Sequence, residues 1–227
     1  ITPGSQAAID TACRAFANPG DVVVVEDPTF VGALTTFTTW QLEAVATGTD
    51  DHGLVPAALD ETLTRLAAEG RRVAFLYTIP SFANPSGALL PPGRRAEVGA
   101  ICEKHGVLIV EDNPYGQIAF DGDPVAPIAA EHRDGVVYLG TMSKIFSPGV
   151  RIGWIIAGRY QDDVERLQTF STHSACSVTQ MGVAAYLENG GYDRHLRHIR
   201  QEYRKNLNAF QLAVQQYFPV GTQMTRP

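Results

Sequence analysis

The chain has 227 residues, 44% of them hydrophobic and 19% charged, an ordinary globular composition with apolar material for one large domain, or one domain and a piece of another. A formal net charge of −6 leaves no electrostatic footprint for nucleic acid, and no apolar run approaches the roughly 20 residues of a membrane-spanning helix. The three cysteines (Cys13, Cys102, Cys176) stand far apart with no CxxC and no paired framework, so a reducing, cytoplasmic compartment is expected, with packing as their role in helix-like segments.

The chain opens on Ile1-Thr2-Pro3-Gly4 without a methionine and closes on Thr225-Arg226-Pro227. Neither a signal peptide nor a lipidation motif is visible, and a fragment of a longer protein is expected. Gly4-Ser5-Gln6 precedes an apolar period of Ala8, Ile9, Ala12, Cys13 and Phe16. That period predicts a helix stopped by Asn18-Pro19-Gly20, with Ser5 as its N-cap. A glycine ahead of a helix N-terminus also offers free N–H groups to an anion, although most capped helices bind nothing.

Val22–Val25 reads as a buried strand, followed by Glu26-Asp27-Pro28-Thr29-Phe30 at its carboxyl end, where open α/β sheets bind ligands. Phe30 is placed there to stack on a flat ring; taken alone it reads as core. A helix is expected over Val31–Trp40, a strand over Leu42–Ala46 and a turn over Asp50–Gly53. Pro56 starts a helix to Glu69 with Leu59, Leu63 and Leu66 on one face.

Val73–Tyr77 is the next strand, and it runs into Pro80-x-x-x-Asn84-Pro85-x-Gly87. The residue before a proline is driven extended, which fixes the aim of Asn84. The helix Pro91–His105 ends on Lys104-His105-Gly106, a cationic last turn with glycine beyond it, so His105 reads as a helix-end residue. The strand Val107–Val110 leads to Glu111-Asp112-Asn113-Pro114-Tyr115-Gly116. A carboxylate against an apolar sheet needs a cationic partner. Without that context Asp112 reads as a cap or turn residue.

Two further apolar runs, Val136–Leu139 and Ile152–Ala157, predict buried strands. Between them a turn-forming segment presents Thr141, Ser143, Lys144 and Arg151. A lysine beside a buried strand end is costly when charged, and burial or a nearby cation lowers its pKa, as Schiff-base chemistry requires. Two hydroxyls and an arginine suit a phosphate. A lone Ser-Lys would instead be a solvated loop pair.

Helices are predicted over Gln161–Ser171, Val178–Glu188 and Tyr192–Tyr217. His195 and His198 lack a carboxylate or cysteine in register, so a charged helix face is expected there and no metal site. Alternating strands and helices mean an α/β fold with a largely parallel sheet. There is no internal repeat, no low-complexity segment and no nucleotide-binding glycine motif.

The spacing Thr141-x-Ser143-Lys144-x-x-x-Pro148-Gly149-x-Arg151-x-Gly153 resembles the lysine segment of class I/II aminotransferases, the fold-type I family that uses pyridoxal phosphate (PLP). The order Gly4-Ser5-Gln6, Asp27-Pro28-Thr29-Phe30, Asn84-Pro85, Asp112-x-x-Tyr115, Ser143-Lys144 and Arg151 is similar to that family along the whole chain. It is closest to the subgroup acting on 2-aminoadipate, kynurenine, aromatic and related amino acids.

The resemblance implies a large PLP-binding domain over residues 1–190, its mostly parallel sheet of seven-stranded type flanked by helices. A linking helix and the start of a small C-terminal domain would follow over residues 191–227. By the same resemblance Lys144 forms the Schiff base and shuttles a proton, and Asp112 pairs with the protonated pyridine nitrogen. Asn84 and Tyr115 hydrogen-bond the ring's phenolic oxygen, and Phe30 stacks on the ring. The phosphate is held by the Gly4-Ser5-Gln6 loop through backbone groups at Ser5 and Gln6, by Thr141 and Ser143, and by Arg151. Lys144, Asp112 and Tyr115 form the implied catalytic set.

An L-amino acid and a 2-oxo acid, 2-oxoglutarate first, are the implied substrates, and a homodimer the implied assembly; no metal, nucleic acid or membrane partner is expected. The family's N-terminal segment and the small-domain arginine that grips the substrate α-carboxylate would lie outside this chain, since Arg226 does not sit in the matching motif. Two alternatives stand beside this reading. A PLP-dependent lyase or decarboxylase would differ little in its cofactor contacts. An aminotransferase-like effector domain of a bacterial transcription regulator usually replaces the asparagine of Asn-Pro, so Asn84 favours the free-standing enzymes.

Overall fold

A computed structural model describes residues 1–120 and 124–225. In chain order its elements are α1 (Ser5–Phe16), β1 (Val22–Glu26), α2 (Val31–Thr39), β2 (Glu43–Thr47), β3 (Thr49–Asp50), β4 (Gly53–Leu54), α3 (Pro56–Ala68) and β5 (Val73–Thr78). There follow α4 (Pro92–His105), β6 (Leu108–Asp112), β7 (Val136–Thr141), β8 (Gly153–Ile156), α5 (Gln161–Thr172), α6 (Ser177–Glu188) and α7 (Gly191–Tyr217).

The valine run of β1 is buried along its whole length, as a strand covered on both faces must be. It lies inside a six-stranded sheet of order β2-β1-β5-β6-β7-β8. Every neighbouring pair is parallel except β7–β8, which is antiparallel. This is one strand fewer than the seven-stranded type. On β8 there is an isolated antiparallel bridge in which Thr2 and Gly153 exchange N–H···O bonds of 2.8 Å.

Period-two alternation divides the valines between two cores. Val23 and Val25 join Ala8, Ile9, Phe37 and Val164 on the face covered by α1, α2 and α5. Val22 and Val24 join Leu59, Leu63, Leu66 and Val98 under α3 and α4. A third cluster packs Met142, Ile145 and Ile152 of the lysine segment against Val183 and Leu196 of α6 and α7.

Three local expectations are corrected. Ser5 is the first residue of α1 and not its N-cap; that position is Gly4, whose φ of 95° no other residue adopts cheaply. Cys176 is exposed ahead of α6, while Cys13 and Cys102 are buried. His195 is half-buried, edge-on to Phe146 at 5.6 Å, because it shares the α7 face of Tyr192, Leu196 and Ile199 that packs on the lysine segment; His198 is exposed as expected. His105 is the helix-end residue anticipated, with Nε2 2.6 Å from the Asp60 carboxylate. Arg226, set aside as a carboxylate-gripping residue, lies outside the described residues.

Helix α7 also ties two loops together. Arg200 donates from Nε and Nη2 to the Gln117 carbonyl at 3.0 and 2.7 Å, and Arg204 donates to the Phe120 carbonyl. Tyr203 donates to the Lys144 carbonyl at 3.3 Å. Positions 200, 203 and 204 share one helical face, so one rigid element holds the loops after β6 and β7.

Candidate functional site

Parallel strands bring their carboxyl ends to one edge of the sheet. Phe30 follows β1, Asn84 follows β5, Asp112 and Tyr115 follow from β6, and Thr141 to Lys144 follow from β7. Antiparallel β8 starts at this same edge, so Arg151 stands there, and its guanidinium reaches the Pro3 carbonyl at 2.8 Å beside the start of α1. The eleven residues singled out from the sequence therefore come from five separate stretches to one end of the fold.

The anion-facing half is built from small groups. Thr141 accepts the Ser143 N–H at 3.1 Å, donates to the Ile152 carbonyl at 3.1 Å, and lies 3.0 Å from Ser143 Oγ. Arg151 donates to Ser143 Oγ at 3.3 Å and to the Pro148 carbonyl at 3.2 Å. A Cβ added at Gly4 would sit 2.4 Å from Arg151 Nη2, and one at Gly153 would sit 2.6 Å from the Gly4 carbonyl carbon. Glycine at both positions lets the two chains close into a cradle. The first turn of α1 carries no acidic residue and no side-chain cap, which leaves its amides to an anion. The Gln6 side chain is engaged elsewhere, donating to Thr36 Oγ1 at 2.7 Å, so only its backbone faces the cradle's entrance to α1. Phe30 is half-buried at the N-cap of α2.

The acid half is deeper. Asp112 is 2% exposed; its Oδ2 accepts the Tyr77 hydroxyl at 2.8 Å, and its Oδ1 is buried without a hydrogen-bond partner. Burial pushes the carboxyl up to about 6, against the Tyr77 hydrogen bond that favours the ion. An orphaned carboxylate oxygen costs free energy unless a donor arrives. A protonated ring nitrogen is such a donor, and the residues present fit PLP in this respect as in the anion cradle. Burial, followed by the Asp112 charge, pushes the Tyr115 phenol up, against the influence of the neighbouring Asn84 side chain.

Lys144 is exposed, just past the carboxyl end of β7. The core-facing positions of its segment are taken by Met142 and Ile145, so position 144 turns outward. Its Nζ has no hydrogen-bond or ion-pair partner among the described residues.

Sequence reasoning missed Tyr77 and Glu26. Both end buried strand runs, and a tyrosine or glutamate there must find a partner, which is the signal that could have revealed them. Glu26 accepts Thr78 Oγ1 at 2.7 Å, and burial pushes it up to about 7. A cleft of about 1080 Å³ opens at the opposite edge of the sheet, between Arg72, His132 and Arg159. None of the buried, unpartnered polar atoms lines it. The carboxyl edge is therefore the chemical one. Among the described residues no group of three or more histidines, cysteines and carboxylates could hold a metal, and no helix is long and apolar enough to cross a membrane.

A family model described as aminotransferase class I and II matches residues 1–227. Aromatic-amino-acid aminotransferase 1 of Thermococcus litoralis is 40% identical over 230 residues, covering 100% of this chain and 55% of that protein. An uncharacterized HTH-type transcriptional regulator of Escherichia coli, YdcR, is 32% identical, covering 99% of this chain and 47% of its own length. The crystal structure of Pyrococcus horikoshii kynurenine aminotransferase in complex with PMP superposes with a TM-score of 0.94 at 34% identity, covering 100% of this chain and 56% of that one. The chain thus spans about half the length of the curated relatives it matches.

Proposed function

The chain belongs to the aminotransferase class I and II family, and on that premise we propose that it is the PLP-binding part of an enzyme moving an amino group between an L-amino acid and a 2-oxo acid. The observation that carries the reading is the buried Asp112 Oδ1 left without a donor beside the Gly4–Arg151 cradle. PLP, when bound, supplies an electron sink for the charge that develops at the substrate Cα.

The chain's own residues do the rest. Asp112 holds a proton on the ring nitrogen. Asn84 and Tyr115, neighbours at the carboxyl edge, offer donors to the ring oxygen. Phe30 covers the ring. Ser143, Thr141, Arg151 and the amides of Ser5 and Gln6 bind the phosphate, and Gly4 leaves the room. Lys144 Nζ, exposed and unpartnered, holds the cofactor and moves the proton released at Cα.

Residues 1–190 form the large domain in this reading, and residues 191–227 lead into a small one. We take 2-oxoglutarate as acceptor, a cytoplasmic setting in keeping with three free cysteines, and a homodimer, which would cover the exposed Phe170, Val178 and Met181. An aromatic donor is in keeping with the aromatic-amino-acid and kynurenine aminotransferases that the chain resembles.

The test is an absorbance spectrum of the full-length protein with PLP. Wild type should show the band of lysine-bound cofactor, and Lys144→Ala should not. Amino acids should convert it to the pyridoxamine form, and 2-oxoglutarate should restore it. Binding of amino acids without conversion would mark a sensor domain, and release of a 2-oxo acid without the pyridoxamine form would mark a lyase. No such band in a folded wild-type protein overturns the reading.

A further inference from the structure

The two oxygens of Asp112 have different fates: Oδ2 is bound by Tyr77, and Oδ1 is bare. We propose that Tyr77 is a positioning residue, whose hydroxyl pins one oxygen of Asp112 so that the other faces the ring nitrogen as part of an ion. This rests on the PLP reading above and deepens it.

The geometry leaves the hydroxyl little freedom. Tyr77 is 0% exposed, near the end of β5, next to β6 in the sheet. Phe37 packs edge-on against its ring at 5.5 Å and 75°, and edge-on against Phe75 at 5.9 Å. A ring clamped on that face keeps its hydroxyl aimed at Asp112. The hydroxyl is the carboxylate's hydrogen-bond donor among the described residues.

The other titratable groups near this pair are Tyr115 in the loop beyond β6, Tyr138 on β7, and Glu26 on β1, which acts on Tyr77. None of them is a cation. Before cofactor binds, the Tyr77 hydrogen bond is therefore what favours the ionised carboxyl against burial, which has already raised it to about 6. Removing the hydroxyl raises it further. At neutral pH a larger share of the carboxyl then keeps its proton, and Oδ1 presents less charge to the ring nitrogen.

The experiment uses Tyr77→Phe, which keeps the ring, in the full-length protein. In the apo protein, an infrared titration of the Asp112 carboxyl, identified by its loss in Asp112→Asn, should move up by about one pH unit. PLP dissociation measured from pH 5 to 9 should weaken about tenfold at pH 7, the scale of one hydrogen bond to a charged group, with its acid limb displaced upward. In the Asp112→Asn background the same substitution should leave PLP affinity within about twofold, because the two residues act as one unit. An unmoved Asp112 titration, or an equal loss of affinity with Asp112 absent, overturns the proposal. A wild-type protein that binds no PLP while its apo Asp112 titration moves as described overturns the functional reading instead.

Discussion

At the scale of single residues, the site depends on absences as much as on functional groups. Gly4 has φ 95° and leaves the space that a Cβ would take from the Arg151 guanidinium. Gly4→Ala should therefore weaken PLP binding at least about tenfold, by displacing the guanidinium from the cradle, and cost about 1 kcal/mol of stability for the left-handed backbone. Equilibrium binding and denaturant unfolding would read the two effects separately. Glu26 gives a second expectation. Its folded-state pKa, raised from 4.5 to about 7 by burial, means that the native state holds a proton the unfolded chain has lost. Its contribution is full below about pH 4.5 and falls as pH rises through 7. Asp112, raised to about 6, acts in the same direction. The apo protein should lose stability between pH 5 and 8, and Glu26→Gln should flatten that slope in urea titrations at the two pH values.

At the scale of elements, the helix that meets the lysine segment does more than cover it. Arg200, Tyr203 and Arg204 of α7 hold main-chain carbonyls of the loops that follow β6 and β7. Arg200→Ala removes both bonds to Gln117 and should cost about 1 kcal/mol, with faster amide exchange in residues 113–120 and little change in α1 or β1. Equal acceleration across the sheet would mean that the helix stabilises the whole domain and not this loop. The ends of the helices and strands were legible to within a residue or two, because prolines, glycines and apolar periods mark them. The side of α7 taken by His195 was not, since a histidine's polarity says nothing of the aromatic pair, Phe146 and Tyr186, waiting for it.

At the scale of the whole molecule, the parallel sheet explains why motifs scattered from Gly4 to Arg151 serve one site: parallel strands put every following loop at the same edge, and the connection from β7 to antiparallel β8 keeps Arg151 there. The order of those motifs, the alternation of strands and helices, and the spacing around Lys144 were readable in the sequence, because each is local chemistry repeated at a fixed separation. So was the fold they imply, which superposes on a solved kynurenine aminotransferase. Only the tertiary structure decided that Lys144 stands outside the core, that Asp112 keeps one oxygen bare and gives the other to Tyr77, and that Glu26 is buried against Thr78. These are matters of which face a side chain takes and what meets it across a strand 35 or 52 residues away. No local pattern encodes that meeting, because it depends on how β1, β5 and β6 are placed in register when the sheet assembles.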